Sequence, residues 1–138
     1  MRLGLVFAGL LLSSPTASLD ELALRLDALA VRDARVVIEA TGAAQPVVIL
    51  FADRYCYACL QMVELFVALR ERPPQGLRLF LVDPQRADSA TALLLSRYGV
   101  WAVPTTVLVD RSGRVARKLY GYQKPSTLTE EVDRLAER

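Results

Sequence analysis

The chain has 138 residues, 53% of them hydrophobic and 23% charged, which fits one folded domain and excludes a disordered protein. Its 17 Lys and Arg residues and 15 Asp and Glu residues give a net charge of +2, too small for a protein that binds nucleic acid or an acidic membrane surface through a cationic face. Histidine is absent, which removes the usual general base and the commonest metal ligand.

The first 18 residues have the pattern of a secretory signal peptide. Arg2 precedes an apolar run over residues 3–12, and small residues follow it up to Ser18. The run is about ten residues long, short of the roughly 20 that a membrane-spanning helix needs, so an uncleaved anchor is the weaker alternative. We therefore predict a periplasmic protein with a signal peptide at residues 1–18 and a mature domain at residues 19–138.

The segments after residue 18 show alternating helical and strand patterns. Apolar residues at helical spacing predict a helix over residues 19–31, and the β-branched run Val36, Val37 and Ile38 predicts a short strand within residues 35–40. Residues 47–52 are apolar without alternation, as expected for a strand covered on both faces. Further helices are predicted at 57–72, at 88–98 and from 125 onward, and further strands at 77–83, 105–110 and 115–120. This order predicts an α/β fold, a central mixed sheet with helices on both faces.

Two cysteines, Cys56 and Cys59, lie at the N-terminus of the predicted helix over residues 57–72. Because side chains three residues apart share a helix face, the two sulfurs can form and break a disulfide with little backbone movement. Cys59 begins an apolar stripe and should point inward, whereas Cys56 in the first turn should face solvent. Unpaired N–H groups and the helix dipole stabilise a thiolate there, and we expect Arg54 to contribute. Cys56 is the predicted nucleophile and Cys59 the residue that resolves the mixed disulfide.

A pair of cysteines can also bind a metal ion or form a structural disulfide. A structural zinc site needs four Cys or His ligands, and the chain has two Cys and no His. A Cu(I) ion held by the two thiolates is chemically allowed, which makes a metallochaperone the alternative function. A purely structural disulfide closing so small a loop would remove little unfolded-state entropy. We favour thiol–disulfide exchange, a chemistry for which no cofactor or bound metal is expected.

Two segments resemble the thioredoxin superfamily. VVILFADRYCYACLQMVELF, residues 47–66, resembles its active-site strand and helix, and YGVWAVPTTVLVDRSGRVARKLYGY, residues 98–122, resembles its second half. The resemblance implies a thioredoxin-like fold and a cis bond between Val103 and Pro104 in a loop that pairs with an extended substrate. The substrate-contacting residues expected around this loop and the cysteines are Tyr55, Tyr57, Ala58, Trp101, Val103, Pro104 and Gly121.

The chain also departs from the thioredoxin pattern. Leu50 stands at the position of the family's buried aspartate and Leu79 at that of the lysine facing it, so the proton acceptor for Cys59 is unassigned. Asp83 ends a strand near the site, but a carboxylate there is more often a turn residue. The pair between the cysteines, Tyr-Ala, replaces the more rigid Gly-Pro, so the redox potential cannot be inherited from the family.

The lead-in Tyr-Gly-Val of the second segment and its ending GYQKP, residues 121–125, look closest to exported thioredoxin-like proteins, such as those of sulfur oxidation, cytochrome c maturation and periplasmic disulfide reduction. This resemblance implies protein thiols and disulfides as substrates, reduction as the direction and a membrane partner as the electron donor. We expect the protein to be a monomer and to have no nucleic-acid partner.

Overall fold

A computed structural model describes residues 17–74 and 76–138 of the chain. Most of the predicted signal peptide, residues 1–16, lies outside the described residues. The described elements are helices α1 Leu19–Leu29, α2 Arg35–Thr41, α3 Tyr57–Glu71, α4 Ser89–Tyr98 and α5 Pro125–Glu137, and strands β1 Val47–Phe51, β2 Arg78–Val82, β3 Thr105–Val109 and β4 Val115–Tyr120. Among them, no helix is long and apolar enough to cross a membrane.

The four strands form one mixed sheet in the order β2-β1-β3-β4. β1 runs parallel to β2, with Val47 opposite Arg78, and antiparallel to β3, with Val47 opposite Val109. β4 completes the sheet by antiparallel pairing with β3. Every residue of β1 is buried, which is what the unbroken apolar run predicts for a strand covered on both faces. The predicted mixed sheet is confirmed.

Two apolar clusters lie on opposite faces of the sheet, since successive strand side chains alternate between faces. On one face, Val48 and Leu50 belong to a cluster with buried side chains of α1, α3 and α5. On the other, Ile49 and Phe51 belong to a cluster with Val37 of α2 and buried side chains of α4. The prediction of helices on both faces is therefore confirmed, and β1, like β2 and β3, contributes side chains to both clusters.

The strand predicted within residues 35–40 is wrong, because this segment is helix α2, Arg35–Thr41. The buried apolar positions are Ala34, Val37 and Ala40, which recur every third residue and so form one face of a helix. This face packs against the sheet, and the resulting burial outweighs the strand preference of the β-branched run.

Candidate active site

Cys56 lies at the junction between the sheet and α3 and is the N-cap residue of that helix. The residue is half-buried and its backbone is extended, and its Sγ accepts a hydrogen bond of 3.2 Å from the backbone N–H of Cys59. The sulfur therefore takes the place of the oxygen acceptor usual at this position, next to the positive end of the helix dipole. This geometry places an accessible sulfur where negative charge is stabilised.

Cys59 lies one turn further along α3 and is fully buried. Burial raises the pKa of its thiol, and the hydrogen bond that the thiol donates to Cys56 raises the pKa further. The backbone N–H of Asp53 faces the Cys59 sulfur and acts in the opposite direction, while the charges of Cys56 and Asp53 also raise the pKa. Cys59 is thus buried, as its place in the apolar stripe predicts, while Cys56 is half-buried, and both are free thiols in this structure.

The loop before β3 lies beside the first cysteine. The Val103–Pro104 peptide bond is cis, and the Val103 carbonyl lies 3.8 Å from the Sγ of Cys56. The Pro104 carbonyl accepts a hydrogen bond of 2.8 Å from the N–H of Gly121, which has a φ of 77° that favours glycine. The fold thus brings together three of the segments that the resemblance assigns to one site, although they are distant in sequence.

Several aromatic side chains around the cysteines are exposed. Tyr55 and Tyr57, which flank Cys56, are 79% and 62% exposed, and Trp101 is 80% exposed. The Trp101 ring lies 5.8 Å from the ring of Tyr120 on β4, a neighbour that the sequence patterns do not indicate. Such large exposed aromatic surfaces are open to a partner rather than used in the core.

From the sequence we expect Arg54 to help stabilise the Cys56 thiolate, but the structure places its charged group in an ion pair elsewhere. Its guanidinium pairs with Asp27 of α1, with 2.8 Å between Nη1 and Oδ2. Asp83 has the turn role that was expected, since its carboxylate accepts the N–H of Gln85 at 2.9 Å.

Asp53 and Gln85 are two neighbours of the site that the sequence analysis missed. Asp53 is only 7% exposed, and its carboxylate accepts hydrogen bonds from Tyr55 N–H at 2.9 Å and from the Gln85 amide at 3.3 Å. The available signal was a carboxylate placed directly after a buried strand and three residues before Cys56.

Within residues 17–74 and 76–138, no group of three or more Cys, Asp or Glu side chains is arranged to hold a metal ion. The sulfurs of Cys56 and Cys59 are the soft donors that a Cu(I) ion would use. For disulfide exchange, the arrangement offers a sulfur on the half-buried Cys56, a buried sulfur one turn away and an adjacent backbone edge.

Comparisons with known proteins agree with this geometry. A family model described as a thioredoxin-like domain matches residues 34–136. No curated protein matches the chain. Among solved structures, a mutant thioredoxin from Halobacterium salinarum is 23% identical, with a TM-score of 0.65 over 80% of this chain and 91% of that one. Mitochondrial thioredoxin 3 from Saccharomyces cerevisiae is 20% identical, with a TM-score of 0.64 over 80% of this chain and 99% of that one. At these levels of identity, the structural similarity shows a shared fold.

Proposed function

We propose that this chain, which belongs to the thioredoxin-like domain family, works as a thiol–disulfide oxidoreductase that reduces disulfides of protein substrates outside the cytoplasm. The observation that carries the proposal is the position of the Cys56 sulfur, on a half-buried residue at the start of α3 and 3.8 Å from the carbonyl oxygen of Val103. A substrate disulfide that reaches this sulfur also reaches the backbone edge beside Pro104. One surface can therefore bind an extended peptide and exchange its disulfide.

The reaction proceeds in two exchanges. The Cys56 thiolate attacks one sulfur of the substrate disulfide, forming a mixed disulfide and releasing the other substrate sulfur as a thiolate. The Cys59 thiolate then attacks the Cys56 sulfur, which closes the Cys56–Cys59 disulfide and releases the second substrate thiolate. The Cys59 backbone N–H, 3.2 Å from the Cys56 sulfur, shows that the two residues are already within one helical turn of each other.

Three features support the finer parts of the proposal. The signal-like pattern over residues 1–18 supports export, and an oxidising compartment creates the need for a protein that reduces disulfides. The resemblance of the closing segment to exported reductases supports the reductive direction. A membrane partner then supplies the electrons that return the Cys56–Cys59 disulfide to two thiols. The exposed aromatic residues Tyr55, Tyr57 and Trp101 supply apolar contact area for the substrate.

Cysteine variants test the exchange reaction. We expect Cys59→Ser to accumulate a mixed disulfide with a disulfide-containing protein substrate, because Cys56 can still attack but nothing resolves the product. Cys56→Ser should form none. Non-reducing electrophoresis and mass spectrometry measure the adduct, and circular dichroism confirms that both variants are folded. Adduct formation through Cys59 in the folded Cys56→Ser variant would contradict the assignment.

Redox titration tests whether the protein reduces substrate disulfides or donates its own disulfide. The dithiol and disulfide forms are equilibrated with glutathione buffers of known ratio and quantified by alkylation of free thiols. We expect the Cys56–Cys59 disulfide to be harder to reduce than glutathione disulfide. A strongly oxidising pair would replace the reductase assignment with that of a disulfide donor.

Export is tested with a reporter enzyme that is active only outside the cytoplasm. Residues 1–18 fused to this reporter should give activity, and the reporter without them should not. Equal activity of the two fusions would contradict the extracytoplasmic location.

A further inference from the structure

The proton on Cys59 has no obvious acceptor on the sheet face that buries this residue. Cys59 is fully buried in a cluster of apolar side chains, and burial raises the pKa of its thiol. Leu50 and Leu79, at the positions where the thioredoxin resemblance places an acid–base pair, are both apolar. The resolving attack nevertheless needs a thiolate, because the thiol is a poor nucleophile.

Asp53 brings a carboxylate to this otherwise apolar surrounding. It follows β1 by two positions and is 7% exposed, and its backbone N–H faces the sulfur of Cys59. After burial and Cys56, the negative charge of the Asp53 side chain is a smaller cause that raises the pKa of the Cys59 thiol. Asp53 also lines a cleft of about 300 Å³ with Trp101 and Val103, next to the loop where a substrate is proposed to bind.

The carboxylate of Asp53 is held by neutral hydrogen-bond donors and not by a cation among the described residues. Its hydrogen bonds, as far as the described residues go, come from two neutral donors, the N–H of Tyr55 at 2.9 Å and the side-chain amide of Gln85 at 3.3 Å. The nearest cation along the chain, Arg54, is paired with Asp27. Asp83, the acidic residue at the end of the neighbouring strand, accepts the N–H of Gln85. The other titratable group facing Asp53 and Cys59 is Cys56.

We propose that Asp53 accepts the proton of Cys59 during the resolving step and that Gln85 is the positioning residue for its carboxylate. The inference rests on the proposed oxidoreductase function, because it concerns the second half of that reaction. It assigns an acid–base role to a residue three positions before Cys56, on the strand-to-helix connection rather than within the sheet.

The proton moves from the Cys59 thiol to the Asp53 carboxylate, directly or through one water in the cleft, leaving a Cys59 thiolate. The thiolate forms the new bond to the Cys56 sulfur, and the bond between Cys56 and the substrate breaks. The departing substrate sulfur carries the electron pair away as a thiolate, and the proton on Asp53 returns to it or to solvent.

A two-phase thiol assay separates the resolving step from the first attack. Reduced protein is mixed with an equal concentration of dithiobis(nitrobenzoate), which releases one coloured thiolate when Cys56 attacks and a second when Cys59 resolves the adduct. In Asp53→Asn we expect the first phase to keep its rate and the second to slow by about tenfold or more at pH 7, given the usual worth of a general base. The second phase should recover as the pH rises, because hydroxide then removes the proton.

Matched variants give the test its controls. Asp133→Asn removes a carboxylate from an exposed position of α5 and should leave both phases unchanged. Gln85→Ala should slow the second phase with the same pH dependence but to a smaller extent. A second phase in Asp53→Asn that is as fast as in the unmodified protein overturns the proposal, as does a slowing that is the same at every pH. Loss of the first phase in the unmodified protein instead overturns the oxidoreductase function.

Discussion

Two buried polar side chains, Asp53 just after β1 and Thr106 on β3, differ in whether their polar atoms have hydrogen-bond partners. Asp53 has a hydrogen-bond donor for each carboxylate oxygen. Thr106 on β3 is 1% exposed and lies opposite Leu50, and its hydroxyl has no hydrogen-bond partner among the described residues. The hydroxyl borders a void of about 10 Å³ with apolar walls, which offers a water molecule few hydrogen-bond partners. A buried hydroxyl without a partner destabilises the fold.

Replacing this hydroxyl should stabilise the protein. Thr106→Val keeps the side-chain shape and removes the unpaired oxygen, so we expect the free energy of unfolding to rise by about 1–2 kcal/mol. Thr105→Val is the matched control, because the Thr105 hydroxyl donates to the Ala102 carbonyl at 2.7 Å and its removal should cost about 1 kcal/mol. Urea denaturation of both variants measures the changes. Destabilisation by Thr106→Val would show that its hydroxyl is satisfied in solution.

At this residue scale, the sequence was informative about the cysteines and silent about their surroundings. The inward position of Cys59 could be predicted because local helical periodicity alone determines it. The placement of Asp53 could not, since its carboxylate is held by Gln85, a residue 32 positions further along the chain. Local patterns describe which face a side chain occupies, and they contain no information about which distant loop meets that face.

At the scale of elements, helix ends and helix faces behave differently as sequence signals. The segment at residues 35–41 shows both a β-branched run and a helical spacing of small residues, and only packing against the sheet decides between them. By contrast, residues at the two ends of α4 determine where this helix begins and ends. Asp88 caps its first turn by accepting the N–H of Thr91 at 2.8 Å, and Gly99 ends it with a φ of 62°. Such caps are local, which is why the sequence predicted this helix well.

The cap of α4 should make part of the stability depend on pH. The backbone N–H of Thr91, then its hydroxyl, then Arg86 hold the pKa of Asp88 below its usual value of about 4. A carboxylate with a lowered pKa in the folded state stabilises fully above the unfolded pKa, and this contribution is lost as the pH falls through the folded pKa. We therefore expect Asp88→Ala to lower the melting temperature clearly at pH 7 and much less at pH 2.

Thermal denaturation followed by circular dichroism at the two pH values measures this difference for Asp88→Ala. Asp88→Asn is the matched control, because its amide oxygen can still accept the N–H of Thr91 while the charge is gone. It should lower the melting temperature less than Asp88→Ala does at pH 7. A gap between Asp88→Ala and the unmodified protein that does not change between pH 7 and pH 2 would contradict the assigned role of the charge.

At the scale of the whole molecule, the central strand β1 packs against helices on both faces of the sheet. Its alternate side chains enter two separate apolar clusters, one with α1, α3 and α5 and the other with α2 and α4. The chain leaves the same strand to enter the cysteine-bearing helix α3. The position of the Cys56 sulfur relative to Pro104 therefore depends on packing on both faces of the sheet. Solved thioredoxins share this architecture at only 20–23% identity, which shows how much sequence change the packing tolerates.

Because β1 belongs to both clusters, damage to either face should destabilise the whole molecule. Leu26 of α1 and Leu94 of α4 are each fully buried, one in each cluster. We expect Leu26→Ala and Leu94→Ala each to cost about 2–5 kcal/mol through the lost burial and the cavity left behind. Leu24→Ala and Leu93→Ala, at exposed positions of the same helices, are the matched controls and should cost much less.

Hydrogen exchange distinguishes damage to the whole molecule from damage to one face. If the sheet and both helical layers unfold as one unit, the β1 amides exchange through global unfolding, and their protection falls in each core variant by the same free energy that urea denaturation reports. Leu94→Ala should thus deprotect β1 as strongly as its own helix α4. Loss of protection confined to α2 and α4, with β1 unaffected, would mean that the face opposite the cysteine-bearing helix opens on its own. The geometry around Cys56 would then be independent of that face.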